Sequence, residues 1–377
     1  MTKRTLILLC SLLPSVCSCR IEPPLHLRQT VDVDVALELE LDVVALWQVD
    51  WEARWNFDWN TQILGELEYN EPESIRMYAY TRNADGEIAS RQEYNFMGTS
   101  GRIRAVAGSY DFLFHNNDSE ALLFDTTTDP YKVYAYTRVI SPGLQLSTPI
   151  QTLSQKAEAT KAGVEMKADS DPVVLQPDGL FSLFTPHQFI SDDPADFEFI
   201  DGRYVIRVGG TLKPADYIWL IQIRLVNNNG RVAGSAGGCA LTGMADGVDL
   251  KTNVSGTTTV TVPSEVYVNR ENDPDLMGAR IVSFGIPGCN AYDSQSVAAA
   301  PAGEHFFVLN VTYSTGAYKN IHIDLTKEVR ALPTGGVIDL ELDVDDFPPE
   351  GGETGNGGFN ALVQDWDEHT GEVTIVN

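Results

Sequence analysis

Basic side chains are scarce in this chain. Lys and Arg number 26 against 53 Asp and Glu, which leaves a formal net charge of −27. A surface of that sign repels nucleic acid and anionic lipid headgroups, so neither is an expected partner. Long hydrophobic runs are missing as well. After the first residues nothing approaches the roughly twenty apolar positions of a membrane-spanning helix, so any membrane link has to be a covalent lipid. Cysteine is sparse: of five, three (Cys10, Cys17 and Cys19) crowd the first nineteen residues. Only Cys239 and Cys289 remain in the body of the chain. They are either one disulfide, formed in an oxidising compartment, or two separate buried thiols acting as small hydrophobes.

Catalytic motifs are equally absent. The histidines (His26, His115, His187, His305, His322 and His369) are scattered, and none forms H-E-x-x-H or an i, i+4 pair. Ser235 stands in GSAGG, which lacks the first glycine of a nucleophile elbow. No P-loop, G-x-G-x-x-G or calcium-loop pattern occurs, and GNGGFN at 355–360 fits none of them. Acids are so numerous that no carboxylate pair stands out for glycosidase chemistry. The expectation is a non-enzyme with no cofactor and no metal.

What is present begins at the N-terminus. Lys3 and Arg4 precede an apolar stretch, Leu6 to Leu13, interrupted only by Cys10 and Ser11 and ended by Pro14. This is the layout of a secretory signal peptide over residues 1–18. Val16-Cys17-Ser18-Cys19 resembles a lipobox, with a branched apolar residue three before the cysteine and a small one just before it. The resemblance implies that Cys19 becomes the lipid-modified first residue of the mature chain, its acyl chains (palmitate or similar) entering the outer membrane. Cys17 fits less well, because it would place Pro14 at the apolar position.

Residues 31–43, VDVDVALELELDV, alternate apolar and acidic side chains at every position but Ala36. Period two of this kind predicts a half-buried strand with one wet face. A matching stretch, VIDLELDVDD, lies at 337–346. Strand alternation spreads such acids along a line instead of curling them round an ion, so they read as a solvated face that discourages edge-to-edge aggregation. Trp47, Trp51, Trp55 and Trp59 recur every four residues in WQVDWEARWNFDW. They are either a stacking platform for a sugar or plain packing over a sheet.

From residue 75 onward the chain reads strand, turn, strand: IRMYAYT, RNADG, EIASRQEYNF, then SYDFLFHNND and YKVYAYTRVI. Residues 154–172 are rich in Ala and Lys and read as a short helix or a linker. IWLIQIRLVNNNGRVAG at 218–234 mirrors IRMYAYTRNADGEIA at 75–89. Asn83, Gly86 and Ala89 match Asn227, Gly230 and Ala233 at a constant offset of 144. EHFFVLNVTY at 304–313 resembles SYDFLFHN at 109–116. Helical periodicity is nearly absent. The chain is expected to be all-β, with two tandem Greek-key β-sandwich domains, at 19–165 and 166–377. Residues 348–358, PPEGGETGNGG, read as a tether within the second domain, ahead of a Trp-containing tail.

The lipobox, the two-part β organisation and several phrases together resemble the fimbrillin-like surface lipoproteins of Bacteroides-type bacteria. The phrases are the aromatic DW stretch before IRMYAYTRNADGE, then GSYDFLFHNND, YAYTR and VQDWDEHTGEV. The resemblance implies transthyretin-like or immunoglobulin-like sandwiches and lipid-dependent export to the outer-membrane surface or a fimbrium. It also implies assembly with other pilus subunits through a donor strand, with cell adhesion to a host glycan or protein. In stalk subunits of that family an arginine-directed cleavage removes the first strand. Here Arg28 precedes and Arg54 follows the first long strand, neither in a matching pattern, which favours a fimbrial tip or accessory subunit. The alternative is a surface glycan-binding lipoprotein of a carbohydrate-uptake system, for which the four tryptophans would supply the platform.

Overall fold

The computed structural model describes residues 30–39, 71–127, 131–141, 171–270 and 273–349. These residues are nearly all β, as the alternation predicts, and their two α-helices, Ser294–Ala299 and Thr326–Ala331, are six residues each. No helix among them is long and apolar enough to cross a membrane.

Strand Thr30–Leu39 shows what the acidic alternation does. Val31 and Val33 are buried, while Asp34 lies on the outer side and pairs with Arg102. The strand runs parallel to Arg203–Pro214 and antiparallel to Ser100–Val106, and sits between them. A second layer is built from Ile88–Met97, Ser74–Arg82, Gly108–Asn116 and Phe181–Ile190, each antiparallel to the next. The two layers join at one corner, where Phe181 and Ser182 pair with Pro214 and Lys213. Between them lies one core that includes Val33, Ile75, Met77, Phe112, Phe114 and Leu212.

The second sandwich is organised around Tyr217–Val226, which is buried on both faces along most of its length. It runs antiparallel to Leu276–Ser283 and parallel to Gly335–Asp343. The opposing sheet contains Cys239–Ala245, Thr259–Ser264, Phe306–Tyr313 and Tyr318–Asp324. Trp219, Ile221, Leu241, Val262, Phe307 and Leu340 fill the space between, each large side chain removed from water contributing about 1.5–3 kcal/mol. The repeat at offset 144 is a strand followed by a turn in both places. Gly86 at φ 81° and Gly230 at φ 74° occupy left-handed conformations that only glycine adopts without strain.

The division expected at residues 165/166 lies outside the described residues, and strand pairing crosses it in both directions. Leu122–Asp125 and Tyr134–Thr137 form a sheet with Gly247–Asp249 and Val254–Ser255. Phe181–Ile190 and Arg203–Pro214, beyond the division, complete the first sandwich. A third core, with Tyr78, Tyr80, Leu113, Ala135, Val248 and Phe284, packs between these parts.

Candidate functional site

The strand Gly335–Asp343 holds the feature that most resembles a docking site. The chain leaves Thr326–Ala331 through Leu332, whose carbonyl accepts a hydrogen bond of 2.9 Å from the Gly335 N–H. Gly335 has φ 83°, and a Cβ there would stand 2.2 Å from the Ile218 carbonyl oxygen, so the two backbones meet only because no side chain intervenes. Beyond it the period-two pattern takes over. Val337, Ile338, Leu340 and Leu342 are buried, whereas Asp339 and Glu341 are exposed. Polar contacts then set the register. Gln222 Nε2 donates to Asp339 Oδ1 at 3.0 Å, Asn227 Nδ2 to Asp343 Oδ2 at 2.8 Å, and Arg231 pairs with Asp345 at 2.6 Å. Just after the strand, Tyr313 Oη donates to the Phe347 carbonyl.

Gly335–Asp343 ends its sheet. Its neighbour on one side is Tyr217–Val226, and among the described residues no strand pairs with its other side. The first sandwich offers the comparison: Thr30–Leu39 carries the same alternation and the same parallel pairing, but Ser100–Val106 covers its second edge. A nine-residue edge of this kind presents a row of N–H and C=O groups to an incoming extended chain.

A second concave region lies where the chain passes between the two sandwiches. A cavity of about 520 Å³ is lined by Glu71, Glu73, Asp118, Asp178, Asp216 and Arg280, among others. Asp216 is fully buried. Burial pushes its carboxyl up to about 7, against the pull of the Leu180 and Gly179 N–H groups and of Arg280. Burial disfavours the charged form of the buried histidines. His115 packs on the rings of Tyr78 and Phe124, and burial takes it down to about 4; burial lowers His305 as well. Among the described residues no group of three or more His, Cys, Asp or Glu is arranged to hold a metal ion.

Cys19 and Trp47, Trp51, Trp55 and Trp59 lie outside the described residues. Cys239 and Cys289, for which a disulfide was one alternative, are free and buried. The Cys239 Sγ lies 3.9 Å from the Glu265 carbonyl, and the Cys289 Sγ donates to the Ile286 carbonyl at 3.4 Å. Each thiol is thus engaged locally within the same apolar core, and burial raises both above the usual thiol range. The open edge had a trace in the sequence, the second copy of the acidic alternation, but nothing in that copy revealed that its outer side has no partner strand among the described residues. Asp216 had no signal at all.

A family model described as a domain of unknown function, DUF5119, matches residues 47–265. No curated protein matches the sequence. Among solved structures, a candidate adhesin from Bacteroides ovatus shares the fold at a TM-score of 0.50 and 15% identity, over 84% of this chain and 93% of that one. The fimbrial anchor protein Mfa2 from Porphyromonas gingivalis aligns at a TM-score of 0.42 and 12% identity, over 84% and 91%. The tip fimbrial protein Mfa3 from the same organism, with a C-terminal truncation, aligns at 0.32 and 11%, over 78% and 82%. The likeness to the Bacteroides ovatus structure is one of fold.

Proposed function

The chain belongs to the family described as a domain of unknown function, DUF5119, and on that premise we propose that it is a cell-surface lipoprotein serving as a structural or adhesive pilus subunit, at the tip or as an accessory component, assembled by β-strand complementation. The observation that carries this reading is the edge of Gly335–Asp343 that no strand among the described residues covers, set beside the covered edge of its counterpart Thr30–Leu39. An extended segment added there would satisfy the backbone groups of the edge and extend the apolar face formed by Leu340 and Leu342. The fold shared with the Bacteroides ovatus candidate adhesin supports the same class of role. Under this proposal Cys19 supplies the lipid anchor, and the tail 359–377, with its β-forming Val373-Thr374-Ile375-Val376, is the donor.

A cross-linking experiment tests the reading. Cysteines are introduced by Glu341→Cys on the edge and Thr374→Cys in the tail, and the chain is oxidised and run on a non-reducing gel. Complementation between molecules predicts a ladder of disulfide-linked multimers that collapses on reduction. Monomers only, linked internally or not, would overturn assembly through this edge.

A further inference from the structure

Arginines in this acid-rich chain mostly answer a carboxylate: Arg82 pairs with Asp111, Arg102 with Asp34, Arg207 with Glu198, Arg224 with Asp273 and Arg231 with Asp345. Arg330 does not. It is half-buried at the end of Thr326–Ala331, and among the described residues no Asp or Glu forms an ion pair with it. Its guanidinium reaches the end of the other helix, Ser294–Ala299. There Nη1 donates to the Pro301 carbonyl at 3.1 Å, and Nη2 donates to those of Val297 and Ala300 at 3.3 and 3.4 Å. A guanidinium carries five N–H groups, so these carbonyls fix its position and leave two for another acceptor. Carbonyl dipoles hold the cation in place without neutralising it.

Arg330 lines a hollow of about 450 Å³ between the two helices, and it is the single charged residue in that wall. The remaining walls are mostly small and apolar, with Val297, Ala298 and Pro333 among them. The Tyr292 ring, also in the wall, is fixed by its hydroxyl, which donates to the Pro214 carbonyl at 2.8 Å. Lys213 Nζ lies 5.1 Å from the centre of that ring, which adds a second positive charge nearby. A phosphate would bring more charge and more oxygens than two N–H groups satisfy, and apolar walls would strip its water without return. A monocarboxylate with a hydrocarbon body suits both the cation and the walls. We propose that this hollow binds a small carboxylate with an apolar body, the anion at Arg330 and the body against Val297, Ala298 and Tyr292. The same chemistry is carried by a free branched-chain acid and by the C-terminal residue of a peptide. The site goes beyond the pilus reading, because none of its lining residues belongs to Gly335–Asp343.

The test is a ligand-observed NMR titration of the full chain with 4-methylpentanoate and with its neutral amide. The acid should bind about tenfold more tightly than the amide, the worth of a charge-assisted hydrogen bond. Arg330→Gln should abolish that preference. Because this variant also loses the three carbonyl bonds, Ala298→Phe serves as the second: it keeps Arg330 and fills the hollow. Ala298 is exposed, so the variant should keep its melting temperature while losing the acid. A short peptide ending in leucine, with a free or an amidated C-terminus, separates the sources. Binding of the free acid alone assigns the site to a small acid, and binding of the free-ended peptide assigns it to a chain terminus. Equal affinity for acid and amide, acid binding that survives Ala298→Phe, or binding of neither probe would overturn the proposal.

Discussion

The carboxylate of Asp216 accepts a hydrogen bond of 3.0 Å from the backbone N–H of Gly179, and so ties together two of the segments that pass between the sandwiches. Gly179 leads into Phe181–Ile190, and Asp216 lies between Arg203–Pro214 and Tyr217–Val226. The carboxyl is fully buried.

This burial makes stability depend on pH in a defined direction. Desolvation raises the Asp216 carboxyl from 3.8 to about 7, so between those values the folded chain binds a proton that the unfolded chain does not. Its contribution is therefore fully present below about pH 4 and is lost as pH rises through about 7. Asp216→Asn should remove that dependence while keeping an oxygen for the Gly179 N–H. Urea unfolding at pH 4.5 and 7.5 should show the parent gaining on the variant at the lower pH, by on the order of 3 kcal/mol. Equal differences at the two pH values would contradict the assignment.

Gly335→Ala should disturb the start of the open-edge strand. The added Cβ would stand 2.2 Å from the Ile218 carbonyl oxygen at a φ of 83°, so the parallel pairing must shift. A loss of roughly 2–4 kcal/mol is expected from strain plus the displaced backbone contact. Gly316→Ala, also at positive φ but with open space around its Cβ, should cost only about 1 kcal/mol. Similar melting temperatures for the two variants would show that the close approach has no energetic consequence.

Cys239 and Cys289 should behave as protected thiols. In a chain carrying Cys10→Ala, Cys17→Ala and Cys19→Ala, a thiol reagent should find no reactive group in the native protein and two after unfolding in denaturant without reductant. Their burial and raised proton affinity are the cause. Thiols that stay unreactive after unfolding until a reductant is added would instead reveal a disulfide.

Cys19→Ala, with Cys17 intact, should release the chain from the membrane fraction, because the acyl chains supply the affinity. Unchanged fractionation of that variant would remove the lipid anchor from the proposed function.

Elements whose fate depends on their own residues were legible. Thr30–Leu39 and Gly335–Asp343 are strands because acid and aliphatic side chains alternate, and the aliphatic Val31, Val33, Val337, Leu340 and Leu342 are buried. Tyr217–Val226 is central because its residues are apolar on both faces. The Asn83–Gly86 and Asn227–Gly230 turns follow from residues that accept positive φ. Pairing partners were not legible in the same way. Nothing within residues 31–39 states that the strand will run parallel to one more than 160 residues later, yet Val33 pairs with Ile206.

By itself the sequence determined an all-β chain with acidic outer faces, the positions of its main strands and turns, and the absence of a membrane-spanning helix among them. These follow from local periodicity and backbone preference, which each segment carries with it. Tertiary structure alone decided which strands share a sheet, so that Phe181–Ile190 returned to the first sandwich and Tyr134–Thr137 joined Gly247–Asp249. It also decided that, among the described residues, one acidic strand is paired on both sides while its counterpart is paired on one, and that Asp216 is buried between Arg203–Pro214 and Tyr217–Val226. Such outcomes depend on which apolar faces find each other across long stretches of chain. The gain from burying them together, and not any residue's own preference, chooses the partner.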